Sequence, residues 1–488
     1  MKIRGIDMKN LRVQVLSDNE ICSIHQSTME ILEDVGIAVI DDEARDYFVN
    51  AGCSVEPSSN IVKIPRSLIE WAIDKAPKSF VLHGRDRDFD IKMAGDGSVT
   101  NYINLGIGTR TTIYKGEGRY EIRDSTLKDT ENFATVLDAC DNLAWTTQPS
   151  SAMDLMGSRC VRTLHEVNAI ISHTAKPFLP DPNYRYVDTY FEMVKACYGG
   201  DEEEALKRPF MIIGGTTSSP LQLDLPACQL IVRGARRGFP VMTMTMEMGG
   251  TTSPPSLAGT IVLHNCEALA CVTLAQIVQV GVPVIYGTAT TMFDFMNSTA
   301  PFGSPEAALL SSAISQIAQS YGLPSIATGG GSDSIHVDVQ TGHESTLTAL
   351  MVALSGANNV FGSGLLELGM SFSLEQLVLR NEMISMERKV LRGIEVDEST
   401  LSVEAIKEVG VGGDFMARPE TITSLNDSSK VELFNKSMYD EWQADGRDAL
   451  ERAHVKVLDI LENHRCIPID AEARVELDRI IKTADGQL

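Results

Sequence analysis

Three times in its middle the chain repeats one punctuation mark: Gly238-Phe-Pro240, Gly281-Val-Pro283 and Gly322-Leu-Pro324. The glycines stand 43 and 41 residues apart. Each closes an apolar, helix-like stretch, and each proline opens a short apolar run: Val241 to Met246, Val284 to Tyr286, Ser325 to Ala327. Glycine takes the left-handed conformation that ends a helix, and proline cannot continue one. Strand, loop, helix and Gly-x-Pro, repeated, is the grammar of βα units, because a parallel neighbour strand requires a crossover helix. Further strand-like runs are Val99 to Leu105, Leu143 to Thr147, Pro177 to Leu179, Pro209 to Ile213 and Asn359 to Phe361. About eight such units suit a (β/α)8 TIM barrel of the α/β class. A doubly wound open sheet is the alternative; it is weakened by the missing G-x-G-x-x-G after a first strand and the missing Walker sequence.

The chain is expected to be one structural unit: residues 1–95 an N-terminal αβ extension packed outside the barrel, 96–395 the barrel, 396–488 a mostly helical C-terminal extension. Ser17 to Gly36 reads as a capped helix, Ser304-Pro305-Glu306 as a helix start and Ser373 to Gly393 as an amphipathic helix. The tail from about Lys430 to Thr483 is helical and highly charged. With 42 basic and 66 acidic residues the net charge is −24, which argues against a broad footprint for nucleic acid or anionic membrane. Met1 to Leu16 lacks the apolar core of a secretory signal. Ala268 to Tyr286 is apolar enough to suggest a membrane span, but Gln276, Gln279 and Pro283 interrupt it, and a buried helix followed by a buried strand explains it. The nine scattered cysteines (Cys160 among them) show no C-x-x-C and read as reduced thiols of a cytoplasmic protein. Among His264, Cys266 and Cys271, the helix spacings of two and five do not share a face, so core cysteines are the better reading than a metal site.

Chemistry in a parallel barrel sits past the C-terminal ends of its strands. There lie Gln148 and Ser150, Thr216 and Thr217, Glu247 with Gly249 and Gly250, Thr288, Thr290, Phe293, Asp294 and Phe295, Gly329 to Asp333, and Phe361 with Gly362 and Glu367. Gly214-Gly-Thr-Thr-Ser-Ser-Pro220 and Gly249-Gly-Thr-Thr-Ser-Pro254 are near copies, each following a strand-like run. There is no G-x-S-x-G, no H-E-x-x-H and no obvious Cys/His pair. Aromatic residues gather in these loops instead: Phe293, Phe295, Phe302, Phe361 and Phe372, with Tyr102 and Tyr286 nearby. Aromatic faces plus a carboxylate such as Glu247 suit a quaternary ammonium, although each ring has a core role as its plainer explanation.

The chain resembles the trimethylamine:corrinoid methyltransferase superfamily, in its branch without pyrrolysine. The resemblance spans nearly the whole length. It rests on Leu16 to His25 leading to Leu32-Glu-Asp-Val-Gly-Ile37, on Ala258-Gly-Thr-Ile-Val-Leu263 with Glu267-Ala-Leu-Ala270, on Gly331-Ser-Asp-Ser334 with Asp338-Val-Gln340, and on Glu408-Val-Gly-Val-Gly-Gly-Asp-Phe415. It implies a TIM barrel that moves a methyl group from an amine to the cobalt of a separate corrinoid protein. Trimethylamine-using members carry pyrrolysine near the Ser-Asp-Ser segment; here Ile335 and His336 follow it and every residue is standard. The implied donor is therefore a quaternary amine: glycine betaine first, then proline betaine, carnitine or γ-butyrobetaine.

In that reading Phe293, Phe295, Phe361 and Tyr102 face the ammonium and Gln148 helps bind it. Glu247 balances its charge. His343, opening the helix of His343 to Ser355, holds a substrate carboxylate with nearby amides. Gly329, Gly330, Gly331, Ser332 and Asp333 receive the corrinoid. No metal of the chain's own, no nucleic acid and no membrane is expected, and a homo-oligomer is. A zinc-dependent, methanol-type corrinoid methyltransferase and a non-catalytic betaine-binding protein are the alternatives.

Overall fold

The computed structural model describes residues 6–7, 11–56, 59–104, 106, 108–157, 161–424 and 431–486. Leu105, Cys160, Lys430 and most of the first ten residues, all named above, lie outside them. Eight parallel strands form the central sheet: β1 Val99–Ile103, β2 Leu143–Thr147, β3 Phe178–Leu179, β4 Ile213–Thr216, β5 Val241–Thr245, β6 Val284–Thr288, β7 Ser325–Thr328 and β8 Asn359–Phe361. Neighbours in sequence are neighbours in space, and β8 pairs with β1, Phe361 opposite Ile103. Between β3 and β4 the ring closes through a parallel bridge from Phe178 to Met211. Each strand feeds a helix on the outside: α1 Leu127–Ala139, α2 Arg162–His173, α3 Val187–Cys197, α4 Leu225–Arg236, α5 Leu257–Val278, α6 Pro305–Ser320, α7 Val339–Leu354 and α8 Leu374–Arg392. This is the TIM barrel.

The Gly-x-Pro beat works as its chemistry requires. Gly238, Gly281 and Gly322 have φ of 73°, 81° and 66° and follow α4, α5 and α6, and the prolines stand immediately before β5 and β6 and just ahead of β7. Ser304 and Ser373 cap α6 and α8, and Ser17 caps Asp18–Asp34 with Glu20 completing a capping box. Helix α5 is long and apolar enough to cross a membrane, yet 83% of its apolar window is buried inside the fold, as a core helix.

Two expectations need correction. The run Pro209 to Ile213 extends as a strand only from Ile213, so Gly214 and Gly215 lie within β4 rather than past its end. The near copy at Gly249 forms a turn after β5, so the two Gly-Gly-Thr-Thr segments occupy different places. Nor does the N-terminal extension pack only outside. Its hairpin, Ser79–Leu82 with Ile91–Ala94, places Leu82, Ile91 and Met93 in the same cluster as the inward-facing Ile103, Trp145, Ile285, Ile326 and Phe361. Asn101 Nδ2 donates to the Lys92 carbonyl, and Trp145 Nε1 donates to Asn359 Oδ1 at 2.9 Å. The hairpin plugs the base of the barrel. At the C-terminal end, Ala449–Asn463 packs on α1 and α8, and Ala471–Asp485 packs on α2 and α3.

Candidate active site

The mouth at the C-terminal ends of the strands holds a cavity of about 110 Å³. Leu179, Pro180 and Pro182 wall one side, Met242 and Met244 another, and Thr147 and Thr216 supply its hydroxyls. Strand alternation puts them there: Met242 and Met244 point inward, while Val241 packs with the helices outside. Gly214 completes the wall; a Cβ there would stand 3.1 Å from Met242 Cε and 3.2 Å from Leu179 Cδ1. The thioethers are soft, polarisable surfaces that fill irregular space.

Phe361 belongs to the same interior cluster as Leu179, Met242 and Met244, but does not line the cavity. Gln148 is fully buried; its Nε2 donates to the Ser150 carbonyl and its Oε1 accepts from Asp181 N–H, both at 3.2 Å, so it ties the loop after β2 to the loop after β3. Sequence reasoning passed over Asp181, which stands between the two wall prolines and pairs with Arg162 at 3.1 Å. Burial pushes the Asp181 carboxyl up, and that of neighbouring Glu166 likewise. The rule that chemistry follows strand ends applies equally after β3, and would have found it.

The other expected ligands lie elsewhere. Tyr102 points outward from β1 and packs with Phe133, Phe372 and Leu377, under α1 and α8. Phe293 and Phe295 stack edge-on at 5.1 Å on the rim, and Phe295 is 67% exposed. His343 is exposed and sits in the fifth position of α7, and Asp338 caps that helix with its own carboxylate on Thr341 N–H. Gly329 to Ser332 are buried, and their polar groups are held within the fold: Gly329 N–H by the Phe361 carbonyl, Gly330 N–H by Thr348, and Ser332 Oγ by Glu344 at 2.7 Å. Asp333 accepts from the N–H groups of Phe302 and Gly303, both at 2.9 Å, clasping the loop after β6. Burial pushes its carboxyl up to about 6, and the Glu344 charge adds to the rise.

Glu247 turns away from the cavity into the layer between strands and α5. Its Oε2 accepts from Thr245 and Thr290 and meets His264 Nδ1 at 3.3 Å. Burial opposes its charge, but His264 and these hydrogen bonds outweigh that and hold it below the usual range. One turn along α5, Glu267 accepts from Thr217, Ser219 and Leu221 N–H, and burial together with the Glu247 charge pushes it up to about 8. The two buried carboxyls are thus pushed in opposite directions, Glu247 down and Glu267 up.

Residues 1–487 match the trimethylamine methyltransferase (MTTB) family. The chain belongs to this family. It is 42% identical over 480 residues to the trimethylamine methyltransferase MttB of Methanosarcina barkeri, covering 98% of this chain and 96% of that one. The trimethylamine methyltransferase MttB of Desulfitobacterium hafniense is 36% identical, with 96% and 94% covered. A glycine betaine methyltransferase of the same species is 30% identical, with 96% and 97% covered. The chain is thus a methyltransferase of the methylamine and betaine family.

Proposed function

We propose that this methyltransferase moves a methyl group from a quaternary ammonium to the Co(I) of a separate corrinoid protein and releases the tertiary amine. Glycine betaine is the first donor by the sequence reading. The observation that carries this is the small cavity at the barrel mouth, walled by Met242, Met244, Leu179 and two prolines. A fixed ammonium charge there loses hydration, and a transition state that disperses the charge loses less, so the wall favours reaction over storage. The displaced amine leaves neutral, so the step needs no general acid; the chain's task is to desolvate and orient the donor. The Co(I) of the partner supplies the nucleophile. Asp181, held at the cavity edge by Arg162, and Gln148 keep the wall loops in register.

Trimethylamine is the second donor reading, favoured by the higher identity to relatives that bear its name. Purified protein, incubated anaerobically with cob(I)alamin and each donor in turn, separates them. Loss of the cob(I) absorbance with methylcobalamin formed from a betaine supports the first reading, and from trimethylamine the second. No transfer from any donor, repeated with the cognate corrinoid protein, overturns both and leaves a betaine-binding protein.

A further inference from the structure

At the base of the barrel, opposite the mouth, three side chains from distant parts of the sequence converge. Asp138 is the penultimate residue of α1. His464 and Cys466 follow the helix Ala449–Asn463 on an extended segment, where residues two apart point to one side. One ligand atom from each lies within 4.8 Å of the others. His464 Nε2 is 2.9 Å from Asp138 Oδ2, and Thr174 Oγ1 donates to Asp138 Oδ1 at 2.7 Å, which fixes the carboxylate's orientation. Asp138 is buried, while His464 and Cys466 are half-buried and open a path from solvent.

We propose that Asp138, His464 and Cys466 form a structural Zn²⁺ site that pins the C-terminal segment to the base of the barrel. The donor set is carboxylate, imidazole and thiolate, which suits zinc and ill suits magnesium or calcium. The two anionic ligands balance the charge of the ion. Without a cation, the Cys466 thiol donates to the His173 carbonyl at 2.6 Å, and a bound ion takes the place of that contact. On binding, the thiol gives its proton to solvent and the imidazole proton moves to Nδ1, so that Nε2 and Sγ each present a lone pair. Thr174 then orients the carboxylate ligand from behind. The opposing charge is Arg85, whose guanidinium is held by the carbonyls of Ile467 and Pro468. Sequence spacing does not reveal the site, since Asp138 and His464 are 326 residues apart.

The test uses the full chain, stripped with a chelator and titrated anaerobically with Co²⁺ or Zn²⁺ alone. One equivalent of Co²⁺ is expected to produce a thiolate-to-cobalt charge-transfer band that Zn²⁺ abolishes, and Zn²⁺ is expected to raise Tm. Cys466→Ser and His464→Ala should lose the band and the rise. Absence of the band, or a band that survives Cys466→Ser, overturns the site. Should the variants fail to fold, alkylation of the wild-type cysteines, mapped by mass spectrometry, decides the matter. Saturating Zn²⁺ is expected to slow modification of Cys466 by about tenfold or more, because the bound thiolate's lone pair is engaged. Unchanged labelling of Cys466 overturns the proposal.

Discussion

Gly214 shows how much one missing methyl can decide. It lies within β4, and the space a Cβ would take belongs to the cavity. Gly214→Ala adds that methyl against two flexible side chains and stiffens the strand by about 0.5–1 kcal/mol, so the fold should keep its Tm within a few degrees. Donor binding should suffer instead, seen as a raised KM for the active amine. Asp333 offers a second residue-scale expectation. Its carboxyl rises from 3.8 to about 6 on folding, so its proton is bound more tightly in the native state. The associated stability is present below pH 3.8 and is lost as pH rises through about 6. Urea denaturation of wild type against Asp333→Asn should show wild type falling behind across that window. This scale was the least legible in the sequence. Both faces of a parallel barrel strand are buried, so hydrophobicity does not say which residues face in. Tyr102, expected at the ammonium, faces α1 and α8, while Met242 and Met244, which the pattern marks only as part of a strand, line the cavity.

At the scale of elements, α5 stands apart. It carries His264 and Glu267 one turn apart, and through them it grips the loops after β4, β5 and β6. Glu267→Gln removes one of two acceptor oxygens, so either Leu221 N–H or the Thr217 and Ser219 hydroxyls lose their partner, and each buried group left unpaired costs about 1–3 kcal/mol. The expected result is a lower Tm and faster amide exchange confined at first to residues 217–221, measured by hydrogen exchange. Elements were also what the sequence displayed best. Gly-x-Pro located the starts of β5, β6 and β7, because a left-handed glycine and a proline leave the backbone little choice. The start of β4 was misplaced because Gly214 and Gly215 look like a loop, and only close packing against Ile231 and Met242 explains glycine inside a strand.

For the whole molecule, the eightfold ring was legible from the count of units, whereas the hairpin in its base was not. Leu82, Ile91 and Met93 alternate as any hairpin would, and nothing local says that their neighbours are Trp145 and Ile326. Yet that plug shapes how the enzyme must be used. A barrel stoppered below has one doorway, and the cavity lies just inside it. Under the proposed transfer to a corrinoid protein, a small donor and a protein-sized acceptor that share a doorway cannot come and go independently. The expected order is donor first and acceptor second, with the spent amine held until the acceptor withdraws.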